Sequence, residues 1–248
     1  MRVLGIIPAR YESSRFPGKP LATIKGKPMI QRVYEQASQS RVLQKLVVAT
    51  DDNRIIKVVE GFGGKAILTK TDHSSGTERC SEVVKGLEAE GKTFDIIINI
   101  QGDEPYINPS QIEEVSSCFL DQSVSIATLI KRIDSADELF SPHVVKVVFD
   151  RFENALYFSR HAVPYRQKVE ESEWLNGLVY FKHIGIYAYK PEILKNIVLL
   201  KTSVLEQAES LEQLRWLEHG FQIRVKETQY ESHAVDTPED LSKFFNNG

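Results

Sequence analysis

Three cations stand close together near the start of the chain. In the stretch IIPARYESSRFPGKPL, Ile6 to Leu21, Arg10, Arg15 and Lys19 lie among serines, prolines and a glycine, offset only by Glu12. Arginine offers a bidentate fork and lysine a point charge, so a wrapped loop could aim all three at different oxygens of one polyphosphate. Pro17 and Gly18 would set the turn that aims Lys19. The composition fits a solvated surface loop equally well. Its position just past an apolar, strand-like run favours the anion site, because ligands of open α/β sheets sit beyond the carboxyl ends of strands.

Three further groups could do chemistry. QGDEP, Gln101 to Pro105, places Asp103 one glycine beyond a fully apolar run. A carboxylate there can meet a metal, or it can simply make a turn with Gly102. VDTPEDL, Val235 to Leu241, has Thr237 as helix N-cap, Pro238 at the first helical position and Asp240 at the third. Asp236 is therefore a turn residue or a second metal carboxylate. TDHSSGTER, Thr71 to Arg79, leads small polar residues into a helix. Ser74, Ser75 and Gly76 suit anionic ligand atoms, or an ordinary cap with Glu78 in the first turn. Farther on, HIGIYAYK puts His183, Gly185, Tyr187 and Tyr189 on one strand face, a ligand wall or a solvent face.

The elements that must position these groups alternate. RVLGIIPA, KLVVATD, KAILT and DIIINIQGD are continuous apolar runs, the pattern of strands buried on both faces. Between them Met29, Ile30, Val33 and Ala37, then Ile55, Ile56 and Val59, then Cys80, Val83, Val84 and Leu87 form helical stripes. Strand–helix alternation predicts right-handed βαβ units and a mostly parallel sheet. The second half has more alternating, aromatic-rich strands, a polar acidic stretch from Lys168 to Asn176 that reads as a mobile loop, and a helix marked by Leu211, Leu214 and Leu217 that closes at Gly220.

The 248 residues, 42% hydrophobic and 26% charged, predict one α/β domain over residues 1–248. The formal net charge of -3 provides no global basic field for nucleic acid. No apolar stretch near the N-terminus is long enough to be a membrane span. Cys80 and Cys118 form no CxxC pair, so a reducing cytoplasm is expected, with Cys80 inert in the core. GLEAEGKT, Gly86 to Thr93, spells a P-loop letter for letter. The mechanism of that motif needs strand, loop, then helix, whereas this segment runs from helix to strand and carries Glu88 and Glu90, so it is expected to be a helix end.

IPARYESSRFPGKPL, DHSSGTER, QGDEP, VVKVV, ALYFSR, HIGIYAY, LEQLRWLEHG and VDTPEDL occur in this order along the chain. Together they resemble the 3-deoxy-manno-octulosonate (Kdo) cytidylyltransferases, the CMP-Kdo synthetases of Gram-negative bacteria. The resemblance implies an α/β nucleotide-diphospho-sugar transferase fold, Rossmann-like, with a mostly parallel sheet and a small inserted β-rich dimerisation region. It implies a cytoplasmic homodimer that uses Mg²⁺, CTP and Kdo, releases pyrophosphate, and serves lipopolysaccharide inner-core synthesis without nucleic acid or membrane partners. By motif, Arg10, Arg15 and Lys19 would bind the CTP phosphates, and Ser75, Gly76 and Gln101 would help hold the cytidine. Asp103 and Asp236 would bind Mg²⁺, and with Lys19 and Arg10 form the catalytic set. Arg79, Arg160, His183, Tyr187, Glu212 and Gln213 would hold the sugar acid. An 8-amino-Kdo enzyme, a sialic acid synthetase and a non-catalytic nucleotide-binding protein are the alternatives.

Overall fold

The computed structural model describes residues 1–12, 16–231, 234–235 and 237–245. Arg15 and Asp236 lie outside the described residues. β1 (Val3–Pro8) leads to a small hairpin, β2 (Thr23–Ile24) and β3 (Lys27–Pro28), and then to α1 (Met29–Ala37). β4 (Leu43–Thr50), α2 (Asn53–Gly61), β5 (Ala66–Leu68), α3 (Gly76–Ala89), β6 (Ile96–Asn99) and α4 (Pro109–Ser117) follow. β1 lies parallel between β4 and β6, and β5 extends the sheet beside β4.

The continuous apolar runs have the physical cause anticipated for them. Ile7 and Ile98 face one core, beneath α1, α2 and α4, while Leu4, Ile6 and Ile97 face the other, with α3. Both sheet faces are covered, so neither strand position can be polar. The helical stripes turn inward: Met29, Ile30, Val33 and Ala37 are buried on α1, and Cys80, Val83, Val84 and Leu87 on α3. Ile56, included in the α2 stripe, stays partly exposed while Ile55 and Val59 are buried. α3 ends at Ala89 and β6 begins at Ile96, so GLEAEGKT is a helix end running into a strand.

The second half contains β7 (Ile126–Arg132), α5 (Ala136–Phe140), β8 (Lys146–Phe149), β9 (Ala155–Ser159), β10 (Phe181–Tyr189), α6 (Pro191–Ile197), α7 (Val204–Glu209), α8 (Glu212–Glu218), β11 (Arg224–Glu227) and α9 (Pro238–Phe245). Among the described residues the main sheet runs β11-β7-β10-β6-β1-β4-β5, with β8 and β9 branching from β10. β10 is antiparallel to β6 and β7, which makes the sheet mixed rather than wholly parallel. β10 keeps its two faces: Ile184, Ile186 and Ala188 join the first core, Tyr187 and Tyr189 the second. The aromatic face is therefore packed against α8 and is no solvent face. Leu211 precedes α8, Leu214 is buried and Leu217 packs at its edge. Thr237 and Asp240 bond each other's backbone N–H groups and cap α9 as its motif predicts.

The acidic stretch from Lys168 to Asn176 is more than a solvated loop. Trp174, 2% exposed, anchors it in a small core with Ile133, Leu139, Ala162 and Tyr180. The Trp174 indole N–H donates to Val169 O at 3.1 Å. One tryptophan among charges leaves no periodic signal, which is why the sequence pattern misses it.

The close approach of β1 to the QGDEP turn depends on Gly102. A Cβ there would lie 2.5 Å from the backbone carbonyl oxygen of Pro8. Backbone cannot swing aside as a flexible side chain can. Gly102→Ala is expected to destabilise the fold by about 1–3 kcal/mol, the usual penalty of overpacking, read as a lower urea midpoint at unchanged m-value.

Candidate active site

A cleft of about 200 Å³ opens beyond the carboxyl ends of the parallel strands. Pro8, Ala9, Arg10, Lys19, His73, Ser74, Ser75, Gly76, Arg79, Gln101, Gly102 and Asp103 line it. Arg10, Lys19, Ser75, Gly76, Arg79, Gln101 and Asp103, named from separate motifs, thus share one wall. Gln101 Nε2 donates to Gly185 O at 2.9 Å, tying the turn after β6 to β10.

In the opening segment Gly18 packs on Tyr11. Gly18 has φ +72°, and its N–H donates to Tyr11 O at 2.8 Å. A Cβ on Gly18 would meet the Tyr11 hydroxyl at 3.2 Å, so left-handed backbone and close approach both call for glycine. The Arg54 guanidinium lies 3.3 Å from the Tyr11 ring centre and pairs with Asp52 at 2.6 Å. Lys19 follows, at the start of a short 3-10 turn. Its ammonium donates to Asp103 Oδ2 at 2.7 Å and to Val235 O at 2.9 Å. Val235 N in turn donates to Asp103 O at 2.9 Å. Val235 is fully buried in a small core with Ile24 and Met29, which pins the segment just before Asp236 against QGDEP. A carboxylate and a carbonyl oxygen thus converge on one cation, a donor set of hard oxygens that also suits Mg²⁺.

Ser75 caps α3 by accepting from Glu78 N at 3.2 Å. The same hydroxyl donates to Glu212 Oε1 at 3.0 Å, and Thr77 Oγ1 donates to Glu212 Oε2 at 2.8 Å. The loop before α3 is braced by side chains reaching back from the helix. Glu78 accepts from Ser74 N and Oγ at 2.8 and 2.7 Å. Glu82 accepts from Lys70 N at 3.0 Å and bonds the His73 ring. Arg79, 3% exposed, pairs with Asp51 at 2.8 Å and donates to Lys70 O at 3.1 Å. Its guanidinium is thus bound to protein on the cleft wall. Cys80 is fully buried, and burial pushes its thiol pKa up, in keeping with an inert core position.

Of the other residues expected at the sugar acid, His183 and Tyr187 belong to a chain of rings at the second core. The Phe158, His183, Tyr187 and Trp216 rings follow one another at 5.3, 5.2 and 5.1 Å between centres. Enclosure lowers the His183 pKa to about 3, so the ring is neutral, and Nε2 bonds Thr128 Oγ1 at 3.0 Å. Arg160 is set by α7: Nε donates to Glu209 O at 2.7 Å and the backbone N–H to Glu209 Oε2 at 2.8 Å. Gln213 is buried on α8 beside Glu212. The Tyr187 and Tyr189 hydroxyls, Trp216 Nε1 and Asn99 Oδ1 are buried without a hydrogen-bond partner of ordinary geometry. Buried polar atoms left this way are rare and mark where a polar ligand or water fits.

The family model for cytidylyltransferases matches residues 4–227. A 3-deoxy-manno-octulosonate cytidylyltransferase of Parabacteroides distasonis is 51% identical, over 98% of this chain and 96% of its own. The chain belongs to the 3-deoxy-manno-octulosonate cytidylyltransferase family. The Thermodesulfovibrio yellowstonii member is also 51% identical, over 97% of this chain and 96% of its own. The solved structure of a CMP:2-keto-3-deoxy-manno-octonic acid synthetase complexed with CTP superposes with a TM-score of 0.89. It is 46% identical, covering 98% of this chain and 96% of that one. A 4-diphosphocytidyl-2C-methyl-D-erythritol synthase from Anaerococcus prevotii shares the fold, at TM-score 0.62 and 13% identity.

In this cytidylyltransferase several site-forming residues carry no motif signal of their own. Asp51 and Glu209 act only through partners elsewhere in the chain, Arg79 and Arg160, and Thr77, inside TDHSSGTER, through Glu212. Tyr11 and Val235 sit inside the quoted motifs, but their types look like ordinary packing.

Glu212 is largely enclosed, and burial raises its pKa above the ordinary 4.5 despite the bonds from Thr77 and Ser75. A raised native pKa favours folding while the carboxyl is protonated. That contribution is whole below pH 4.5 and is lost as pH rises through the native pKa. Glu212→Gln, neutral throughout, should therefore gain stability relative to wild type from pH 4.5 upward. Urea midpoints of both proteins near pH ~4 and ~8 check this, and an equal pH slope would remove Glu212 as the group responsible.

Proposed function

We propose that this cytidylyltransferase joins CTP to Kdo, giving CMP-Kdo and pyrophosphate for the lipopolysaccharide inner core. The observation that carries the reading is the meeting of Lys19, Asp103 and Val235 in a cleft shared with Arg10, Ser75 and Gln101. A polyphosphate needs cations on one side and a carboxylate-held metal on the other. Both requirements converge on that point. The CTP-bound relative of the same fold supports the nucleotide assignment.

The anomeric hydroxyl of the sugar acid attacks the α-phosphorus, its bond to the leaving pyrophosphate breaks, and the hydroxyl proton passes to solvent. Mg²⁺, held by Asp103 and Asp236, would supply charge neutralisation at the α-phosphate and lower the pKa of the attacking hydroxyl. Arg10, Arg15 and Lys19 would hold the β- and γ-phosphates and stabilise the charge that develops on pyrophosphate. Ser75, Gly76 and Gln101 would shape the cytidine side. On the sugar side, Arg160 would meet the carboxylate, and Glu212, Gln213, Tyr187 and His183 the hydroxyl groups. The Tyr187 hydroxyl, buried near Glu212 without a hydrogen bond of ordinary geometry, supports a hydroxyl-rich ligand there. Arg79 would face the sugar while braced by Asp51. Positioning and electrostatics carry such a transfer, and the protein forms no covalent bond to substrate.

We also read the chain as a cytoplasmic homodimer. Exposed Phe152, in the β8–β9 turn, and Leu156, on β9, support an apolar contact at that addition to the sheet. Two free, buried cysteines suit a reducing compartment. Among the described residues no helix is long and apolar enough to cross a membrane.

Pyrophosphate release should require CTP, Kdo and Mg²⁺ together, and Asp103→Asn should lower kcat by about 100-fold or more. Kdo, 8-amino-Kdo and sialic acid, each assayed with CTP, separate the possible acceptors; turnover confined to another acid would replace Kdo. Light scattering should give twice the chain mass, falling toward one chain mass in Leu156→Glu.

A further inference from the structure

We propose that the Lys19 ammonium is the resident cation of the nucleotide-free site, so that metal and CTP bind as a pair rather than independently. This inference rests on the assignment of Asp103 as a metal carboxylate. Lys19 Nζ reaches Asp103 Oδ2 at 2.7 Å and Val235 O at 2.9 Å, across two segments that meet only in the fold. The pair is mostly shielded from water, with side-chain exposures of 16% for Lys19 and 24% for Asp103. Partial burial keeps salt from screening the attraction.

A divalent ion on Asp103 would bond the same carboxylate that the ammonium occupies. The two cations repel at such short range, so each weakens the other's hold on the carboxylate. The β- and γ-phosphates of a nucleoside triphosphate offer the ammonium anionic oxygens away from the metal. The lysine can turn toward them because its charge rides on a flexible four-carbon stem. Gly18 and the short turn behind it hold the Lys19 backbone in place while the side chain swings.

Two consequences follow. Without nucleotide, the ammonium bridges QGDEP and the segment ending in Val235, so the carboxylate is neutralised and the two segments stay together. With nucleotide, the same carboxylate becomes available to metal. The coupling is reciprocal: the factor by which CTP tightens metal equals the factor by which metal tightens CTP.

Manganese(II) titrated into the full-length protein, with free Mn²⁺ followed by electron paramagnetic resonance, reads this coupling without turnover. Nucleotide-free Lys19→Met and Lys19→Gln should bind Mn²⁺ about tenfold more tightly than wild type. CTP without sugar acid should tighten Mn²⁺ in wild type about tenfold and in Lys19→Met far less. Lys19→Arg, which keeps the charge, should remain as weak as wild type without nucleotide. Equal nucleotide-free affinities in wild type and in soluble, folded Lys19→Met or Lys19→Gln would overturn the proposal. Adding Asp103→Asn to Lys19→Met separates the two levels. Lost Mn²⁺ binding there keeps the metal assignment even if the coupling fails, whereas unchanged binding sinks the assignment and the proposal together.

Discussion

The carboxyl end of β1 is where the molecule has no room to spare. Pro8 stands there with its carbonyl against Gly102 and its ring against Gly76. A Cβ would lie 2.5 Å from that carbonyl at Gly102 and 3.2 Å from the Pro8 ring at Gly76. The opening loop, the start of α3 and the turn after β6 are thereby drawn onto one spot. Everything read as nucleotide chemistry follows from that contact. Arg10 and Lys19 leave β1 on one side, Ser75 and Gly76 approach from a second, and Gln101 and Asp103 from a third.

Charge then decides how the crowded loops are arranged. Lys19 reaches across to Asp103, Arg79 to Asp51, and Glu212 accepts from both Ser75 and Thr77. Each link joins segments well apart in the sequence. The Ser75 bond is the most consequential, because it ties the nucleotide loop to α8 and so to the wall read as the sugar pocket. Displacing Glu212 would be felt at the N-terminus of α3 through the Ser75 and Thr77 hydroxyls. The start of α3 and α8 therefore share a hydrogen-bonded seam.

The aromatic face of β10 forms a wall that works by packing. His183 and Tyr187 sit on a strand whose other face is fully apolar, and Phe158 and Trp216 close on them. Burial keeps His183 neutral and the Tyr187 hydroxyl protonated, so this wall presents uncharged donors and acceptors. Such groups suit the hydroxyls of a ligand, which is the basis for reading this face as the sugar side.

The strand–helix alternation, the buried stripes, the caps and the rejection of GLEAEGKT as a phosphate loop were all legible in the sequence. So were the residue types of the site: cations before a short turn, a carboxylate after a buried strand, small residues at a helix start. These are short-range properties, set by backbone preference and periodicity within a few residues. Only tertiary structure chose the partners. Lys19 meets Asp103 across 84 residues and Val235 across 216, and Ser75 meets Glu212 across 137. It also committed Arg79 to Asp51 and buried Trp174 within an acidic stretch. No local pattern encodes these pairings, because they depend on how the whole sheet brings distant loops together. The sequence by itself determined only that cations stand just past the first strand, and packing decided that one of them would meet Asp103.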